Sequence, residues 1–309
     1  MLPLLLYHYP ESPYAEKVRQ FLGLCEVPWV SIRVPPMPPR HGLELLVSGY
    51  RRIPVAQQGG DIFCDSQLIC EEIAALGEGA CSASIATPGH QALADRAQSE
   101  VFFAALTAMP ATRLLWALLR KWGLRGTLAF VKDRQTMMAN TTLRVPQGQR
   151  ARQIWHDYLD ELERLLTGQA TLHGDSLGYL DLVCYHPLTL HCQLAGRKAI
   201  TAWPKVAAWF DALAERQWPP LEERETSMGL QEAQHAPRPL PESEDHPWLA
   251  QHVQIVPDDY ARSPLSGRLV AKTSSRWIVA REIAGPAGPI GVHVHFPLRG
   301  YTVSLYPGA

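Results

Sequence analysis

Residues 51–73 read RRIPVAQQGGDIFCDSQLICEEI. Two short runs, IPVAQQ (53–58) and DIFCD (61–65), flank Gly59-Gly60, a pair suited to a two-residue hairpin turn. Asp65-Ser66 then opens SQLICEEIAALG, where a capping residue followed by apolar spacing predicts a helix. Pro54 stands inside the first run. Proline removes a ladder donor, so it belongs on a sheet edge or in a special backbone geometry.

The segments upstream complete a unit around this stretch. PLLLYHY (3–9) is an apolar run suited to a buried strand. SPYAEKVRQFLGLC (12–25) places Val18, Phe21, Leu22 and Cys25 at helical spacing, and Ser12-Pro13 is a helix start, a hydroxyl cap with proline at the first helical position. VPWVSIRV (27–34) reads as a second strand, so residues 4–34 form a βαβ unit with the usual right-handed crossover. PPMPPRHG (35–42) breaks the chain before the short helical LELLVSGY. The order β-α-β, short helix, β-β-α describes a thioredoxin-like α/β domain over residues 1–80.

Beyond it the pattern changes twice. Between residues 86 and 235, QALADRAQSEVFFAALTA (91–108), RARQIWHDYLDELERLLTG (150–168), YLDLVCYHPLTLHCQLAG (179–196) and WPKVAAWFDALAERQ (203–217) each carry an apolar stripe at i, i+3, i+4, which predicts an all-α domain. His186-Pro187 predicts a kink in the third. QEAQHAPRPLPESEDHP (231–247) reads as a polar, proline-rich linker. The alternating runs that follow, separated by TSS, GPAGP and RG, predict a small antiparallel meander or barrel within residues 236–309. The fold class is therefore α+β and multidomain.

Composition removes several classes of function. Twenty-nine Lys and Arg stand against thirty Asp and Glu in 309 residues, so no global field draws the chain to nucleic acid or to an anionic membrane. The most apolar window, VFFAALTAMPATRLLWALLRKW (101–122), is interrupted by Thr107, Pro110, Thr112 and Arg113 and is not read as a membrane span. MLPLLLYHYP has no basic region and too short an apolar run for a signal peptide. Six cysteines without C-x-x-C spacing read as mostly buried thiols in a reducing, cytoplasmic compartment, and most of the nine Trp read as core. His293 and His295 share one strand face at a spacing that can ligate a metal. No third ligand is identifiable, and a packed pair is the simpler reading.

SPYAEKVR after the first strand, then IPV followed by DS, then an all-helical half, together resemble the glutathione S-transferase family. The resemblance covers residues 1–78 and the helical region in outline; the C-terminal tail looks like an appendage found in some bacterial relatives. It implies that Pro54 is cis and turns the backbone N–H and C=O of Ile53 outward to pair with the cysteinyl unit of glutathione. It implies further that Asp65, Ser66 and the first amides of the following helix receive the γ-glutamyl end, where a helix N-terminus favours an anion. Arg52 is a candidate for the glycyl carboxylate, or is simply a solvated arginine.

For catalysis, Ser12 stands where relatives carry cysteine, serine or tyrosine. Without sulfur it cannot form a mixed disulfide; a hydroxyl there would stabilise the glutathione thiolate, or only cap its helix. Tyr9 is the second candidate, with Tyr7 and His8 as alternates. The co-substrate would be glutathione and the partner a small hydrophobic electrophile, in a cleft beside residues 100–125 where Phe102, Phe103, Leu106, Met109, Leu115, Trp116 and Leu119 either line the cleft or pack the core. The family also implies a homodimer. Two other readings are a non-catalytic binding scaffold and a glutathione-dependent isomerase or lyase. In GYLD (178–181), Asp181 holds the acid position of the family's capping box, while Gly178 lacks the hydroxyl, leaving the reciprocal pair incomplete.

Overall fold

Local signals place the N-terminal elements. In the computed structural model, which describes residues 2–77, 81–174, 176–216 and 218–307, β1 (Leu4–His8) leads to α1 (Pro13–Leu24), where Ser12 Oγ accepts from the Ala15 amide at 3.2 Å. β2 (Trp29–Arg33) pairs parallel with β1, and α2 (Leu43–Val47) follows. β3 (Val55–Gln58) and β4 (Asp61–Cys64) form the hairpin, turning at Gly59 with φ 59°, and α3 (Ser66–Leu76) comes next. The Ile53-Pro54 bond is cis. Pro54 does not interrupt a strand, however: β3 begins at Val55, two residues later than the apolar run suggests, so the residue without an amide stands outside the ladder. The expected boundary at residue 80 and the segment ends at 217 and 308 lie outside the described residues.

The helical part holds α4 (Pro88–Gln98), α5 (Glu100–Thr107), α6 (Ala111–Met138), α7 (Gly148–Leu165), α8 (Tyr179–Ala195) and α9 (Pro204–Ala214). One helix expectation changes. Residues 91–108 do not form one helix, because Ser99, at φ −117° and ψ −102°, separates α4 from α5. α8 continues through Pro187 as one element. Proline there frees the carbonyl four residues back, that of Val183, and His186 Nδ1 lies 2.7 Å from it and donates. The helical backbone is broken in α6, at Gly123, φ 64° and ψ −175°. Asp181 accepts from the Gly178 amide at 3.1 Å, so the acid half of the capping box forms without the hydroxyl. Among the described residues no single helix is long and apolar enough to cross a membrane; α5 and α6 pass by length and composition only as a pair bent by 83°.

β5 (Glu222–Arg224), α10 (Ser227–Glu232), β6 (His252–Pro257), β7 (Leu265–Lys272), β8 (Arg276–Gly285), β9 (Gly288–Pro297) and β10 (Tyr301–Leu305) complete the chain. β6 to β10 are antiparallel to one another, as their alternation predicts. The pattern does not disclose that β9 also pairs in parallel with β4, Ile62 facing Val294. The N-terminal and C-terminal strands thus form one sheet, ordered β10-β6-β7-β8-β9-β4-β3-β1-β2-β5 among the described residues. Alternate residues feed two cores, Leu4, Leu6, Ala56 and Phe63 on the face toward α1 and α3, and Leu5, Tyr7, Val55 and Ile62 on the other.

Asp61 fastens the seam between β4 and β9. It is buried, accepts from His295 Nε2 at 2.8 Å, and takes the Arg238 amide and Nε at 2.8 and 3.2 Å. Arg238 also reaches Glu72 at 3.0 Å, so the proline-rich segment is a strap against the sheet rather than a free linker. A Cβ on Gly60 would come within 2.8 Å of Pro237. His293 and His295 therefore serve the seam, and among the described residues no group of three or more ligating side chains could hold a metal.

One composition reading is corrected. Cys25 and Cys81 form a disulfide, bringing together the end of α1 and the segment after α3, so only Cys64, Cys70, Cys184 and Cys192 remain thiols. Most of the nine Trp do belong to the cores: Trp29, Trp155 and Trp209 are buried, Trp203, Trp248 and Trp277 pack partly buried against them, and Trp116 is 71% exposed.

Two measurements follow from this architecture. Denatured without reductant, the chain titrates four thiols, and six after reduction; six throughout would rule out the disulfide. Asp61→Ala lowers unfolding stability in urea by roughly 1–3 kcal/mol. Burial opposes ionisation of Asp61, but the His295 and Arg238 hydrogen bonds prevail and hold its carboxyl below the usual carboxylate range. That contribution is present above the unfolded carboxyl's pKa and is lost as pH falls beneath it, so the gap to wild type narrows in acid. An unchanged urea midpoint at neutral pH would remove Asp61 from the seam.

Candidate functional site

Arg52, Ile53, Pro54, Asp65 and Ser66 line one cavity of about 180 Å³. The hairpin produces this convergence, because β3 and β4 are antiparallel and carry residues 52–54 and 65–66 to the same end of the sheet. Ile53 is largely buried, and its backbone N–H and C=O make no hydrogen bond among the described residues. An unpaired peptide at a cavity wall is a place for a ligand to pair as a strand would. Ser66 occupies the first position of α3, with its hydroxyl also unengaged among the described residues.

Asp65 caps α3 by accepting from the Gln67 amide at 2.9 Å. Its φ of 85° lies in the left-handed region, uncommon and strained for a residue with a side chain. Its second oxygen accepts from Tyr301 at 3.2 Å, and the Tyr50 and Tyr301 hydroxyls lie 2.9 Å apart. A carboxylate only accepts, so Tyr301 spends its hydrogen on Asp65 and Tyr50 donates to Tyr301. Burial pushes both phenols well above their usual range.

Ser12 and Tyr9 do not line the cavity. Ser12 is buried at the start of α1, two residues before Tyr14, which does line it. Tyr9 packs, partly buried, on the core that also takes Tyr7, and Tyr7 donates to Gln57 at 2.5 Å on that side. His8 accepts at Nδ1 from Arg19 at 2.9 Å and so donates from Nε2 to Ser31 at 2.8 Å. Burial and then the Arg19 charge lower its pKa to about 3. The structure therefore leaves His8 a neutral structural group and Tyr7 remote from the cavity.

Several residues that line the cavity or, like Lys17, support its wall escape the sequence reading. Tyr14 donates to the Gln98 carbonyl at 3.1 Å, and Lys17, fully buried, donates to Gln98 Oε1 at 2.9 Å while its ammonium lies 5.8 Å from the Tyr14 ring. Burial lowers the Lys17 pKa. A local signal for it exists: Lys17 falls three residues after Tyr14 and four before Phe21, a charge on the helix's apolar face. Tyr260, Arg299 and Tyr301 also line the cavity, from strands and loops more than 200 residues away, and no local pattern announces them. Of the apolar residues expected in a cleft, Phe103 and Met109 are buried while Leu115 and Trp116 are exposed on α6.

Residues 6–80 match the family model described as the glutathione S-transferase N-terminal domain. A GST-like protein from Pseudomonas syringae superposes with a TM-score of 0.73 at 26% identity, over 98% of this chain and 99% of that one. Glutathione S-transferase III in its apo form gives 0.48 at 20% identity, over 77% of this chain and all of that one. Gtt2 from Saccharomyces cerevisiae gives 0.47 at 18%, over 69% and 96%. No curated protein sequence matches the chain. Residues 6–80 are thus similar to the glutathione S-transferase N-terminal domain, and over its full length, C-terminal strands included, the chain shares the architecture of a GST-like protein.

Proposed function

We propose that the cavity binds glutathione and that the chain uses the bound thiolate against a small hydrophobic electrophile. The observation that carries this is the unpaired Ile53 peptide, set beside Ser66 and the first amides of α3 in a single cavity. The cysteinyl unit would pair with Ile53, and the γ-glutamyl carboxylate would meet Ser66 and the positive end of α3. The sulfur would then lie toward the N-terminus of α1, where the Ser12 hydroxyl can donate to it. A donated hydrogen bond favours the thiolate, which is the nucleophile. In this reading the protein is cytoplasmic and acts as a homodimer, and Leu115, Trp116, Leu124 and Leu128, exposed on α6, are apolar surface available to a second copy.

One observation favours a second reading, a glutathione-binding scaffold without catalysis. Ser12 is buried, occupied as a cap, and absent from the cavity wall.

Titration calorimetry with glutathione tests the first step. Saturable binding is expected, weakened about tenfold by Ser66→Ala; no saturable binding would end the proposal. Ser12→Ala and Ser12→Gly separate the two readings. The alanine variant costs about 1 kcal/mol of stability and the glycine variant only a few tenths, because glycine is a tolerable cap. If Ser12 holds the thiolate, both variants raise the pKa of the bound thiol alike, seen in the ultraviolet absorbance of the thiolate. A thiol pKa unmoved in both leaves Ser12 as a cap and favours the scaffold.

A further inference from the structure

Arg52 is the cation assigned above to the glycyl carboxylate of glutathione, and in the folded chain it already holds a carboxylate from within. Asp259 forms an ion pair with its Nη2, and the Tyr260 carbonyl accepts from the same nitrogen at 2.7 Å. The Tyr260 ring centre lies 4.4 Å and the Tyr301 ring centre 5.7 Å from the guanidinium carbon, so the Arg52 side chain is only 13% exposed.

The loop that carries Asp259 is built into place. Thr142 donates from its amide to the Asp259 carbonyl at 2.9 Å and from its hydroxyl to the Asp258 carbonyl at 2.8 Å. Ala261 donates to the Met137 carbonyl at 3.0 Å, and Tyr260 packs edge-on against Phe103.

A second carboxylate brought to Arg52 would meet a charge already neutralised and a like charge beside it, in surroundings where water screens little. The other cation at the cavity, Arg299, is 78% exposed and pairs with Asp95 at the surface, where water screens it and it cannot replace Arg52. The cavity of about 180 Å³ is also smaller than the roughly 300–1,000 Å³ of ordinary small-molecule sites. At the far end, the Ser66 hydroxyl and amide make no hydrogen bond among the described residues and stay open to an anion.

We infer that Asp259 is a specificity-determining residue that stands in for the ligand's glycyl carboxylate, so that the site takes γ-glutamyl-cysteinyl thiols whose glycyl end is masked as a neutral amide in preference to glutathione itself. This rests on the cavity being a glutathione site. It also assigns a role to the C-terminal strands: they carry the internal carboxylate that selects the thiol.

Calorimetry with two probes, glutathione and its isosteric glycyl amide, tests the inference on the full chain. Wild type binds the amide about tenfold more tightly than the acid, and Asp259→Asn raises the affinity for the acid about tenfold, so that the preference disappears or reverses. Binding of neither probe to either protein would overturn the glutathione reading, and this inference with it. Binding of both probes, with the acid at least as tight as the amide in wild type, would overturn the role of Asp259 and leave the glutathione reading standing. The wild-type ratio needs no variant, so the test survives poor folding of Asp259→Asn.

Discussion

The parallel pairing of β4 with β9, fastened by the Asp61 carboxylate, is the constraint on which the arrangement depends. A buried carboxylate is tolerated only when its acceptors are filled, and Asp61 fills them with one side chain of β9 and with the backbone and guanidinium of Arg238 from the strap. One residue therefore ties three parts of the chain that are far apart in sequence. Because β9 lies against β4, the turn between β9 and β10 is carried to the end of the sheet where Pro54, Asp65 and Ser66 meet, and Tyr301 reaches Asp65. Without the pairing, β4 would be an edge strand, and the cavity would lose the wall that Arg299 and Tyr301 provide.

That wall changes the chemistry of the site. A cavity built only from the N-terminal unit would offer Arg52 and the amides of α3, two positive places for a ligand with two carboxylates. The C-terminal segment pairs Arg52 with Asp259 and encloses it between two phenol rings, so that only the α3 end keeps an open preference for an anion. Behind the wall, Lys17 and Tyr14 converge on Gln98 and join the first helix to the helical half at the cavity floor. The disulfide between Cys25 and Cys81 joins the N-terminal unit to the segment leading into that half.

Much of this was legible in the chain, and the parts that were not share a cause. The Gly-Gly hairpin, the caps at Ser12 and Asp65 and the antiparallel tail rest on residues close in sequence, and each is present, as is the cis bond before Pro54 that the resemblance implies. The reading faltered where a distant or unexpected partner set the outcome. The helix of residues 91–108 divides at Ser99 although its apolar spacing is continuous. Cys25 and Cys81 looked like isolated thiols because spacing alone cannot say which cysteines meet. Arg52 is paired with the carboxylate of Asp259, a partner from the far end of the chain that no local pattern names.

Periodicity, capping and turn chemistry are interactions among residues a few positions apart, and for that reason the sequence established the elements and the thioredoxin-like order. Which strand lies beside β4, which carboxylate answers Arg52 and which hydroxyls border the cavity depend on contacts across 200 residues or more. No local pattern encodes such contacts, because they exist only once two separate cores have been buried on the two faces of one sheet.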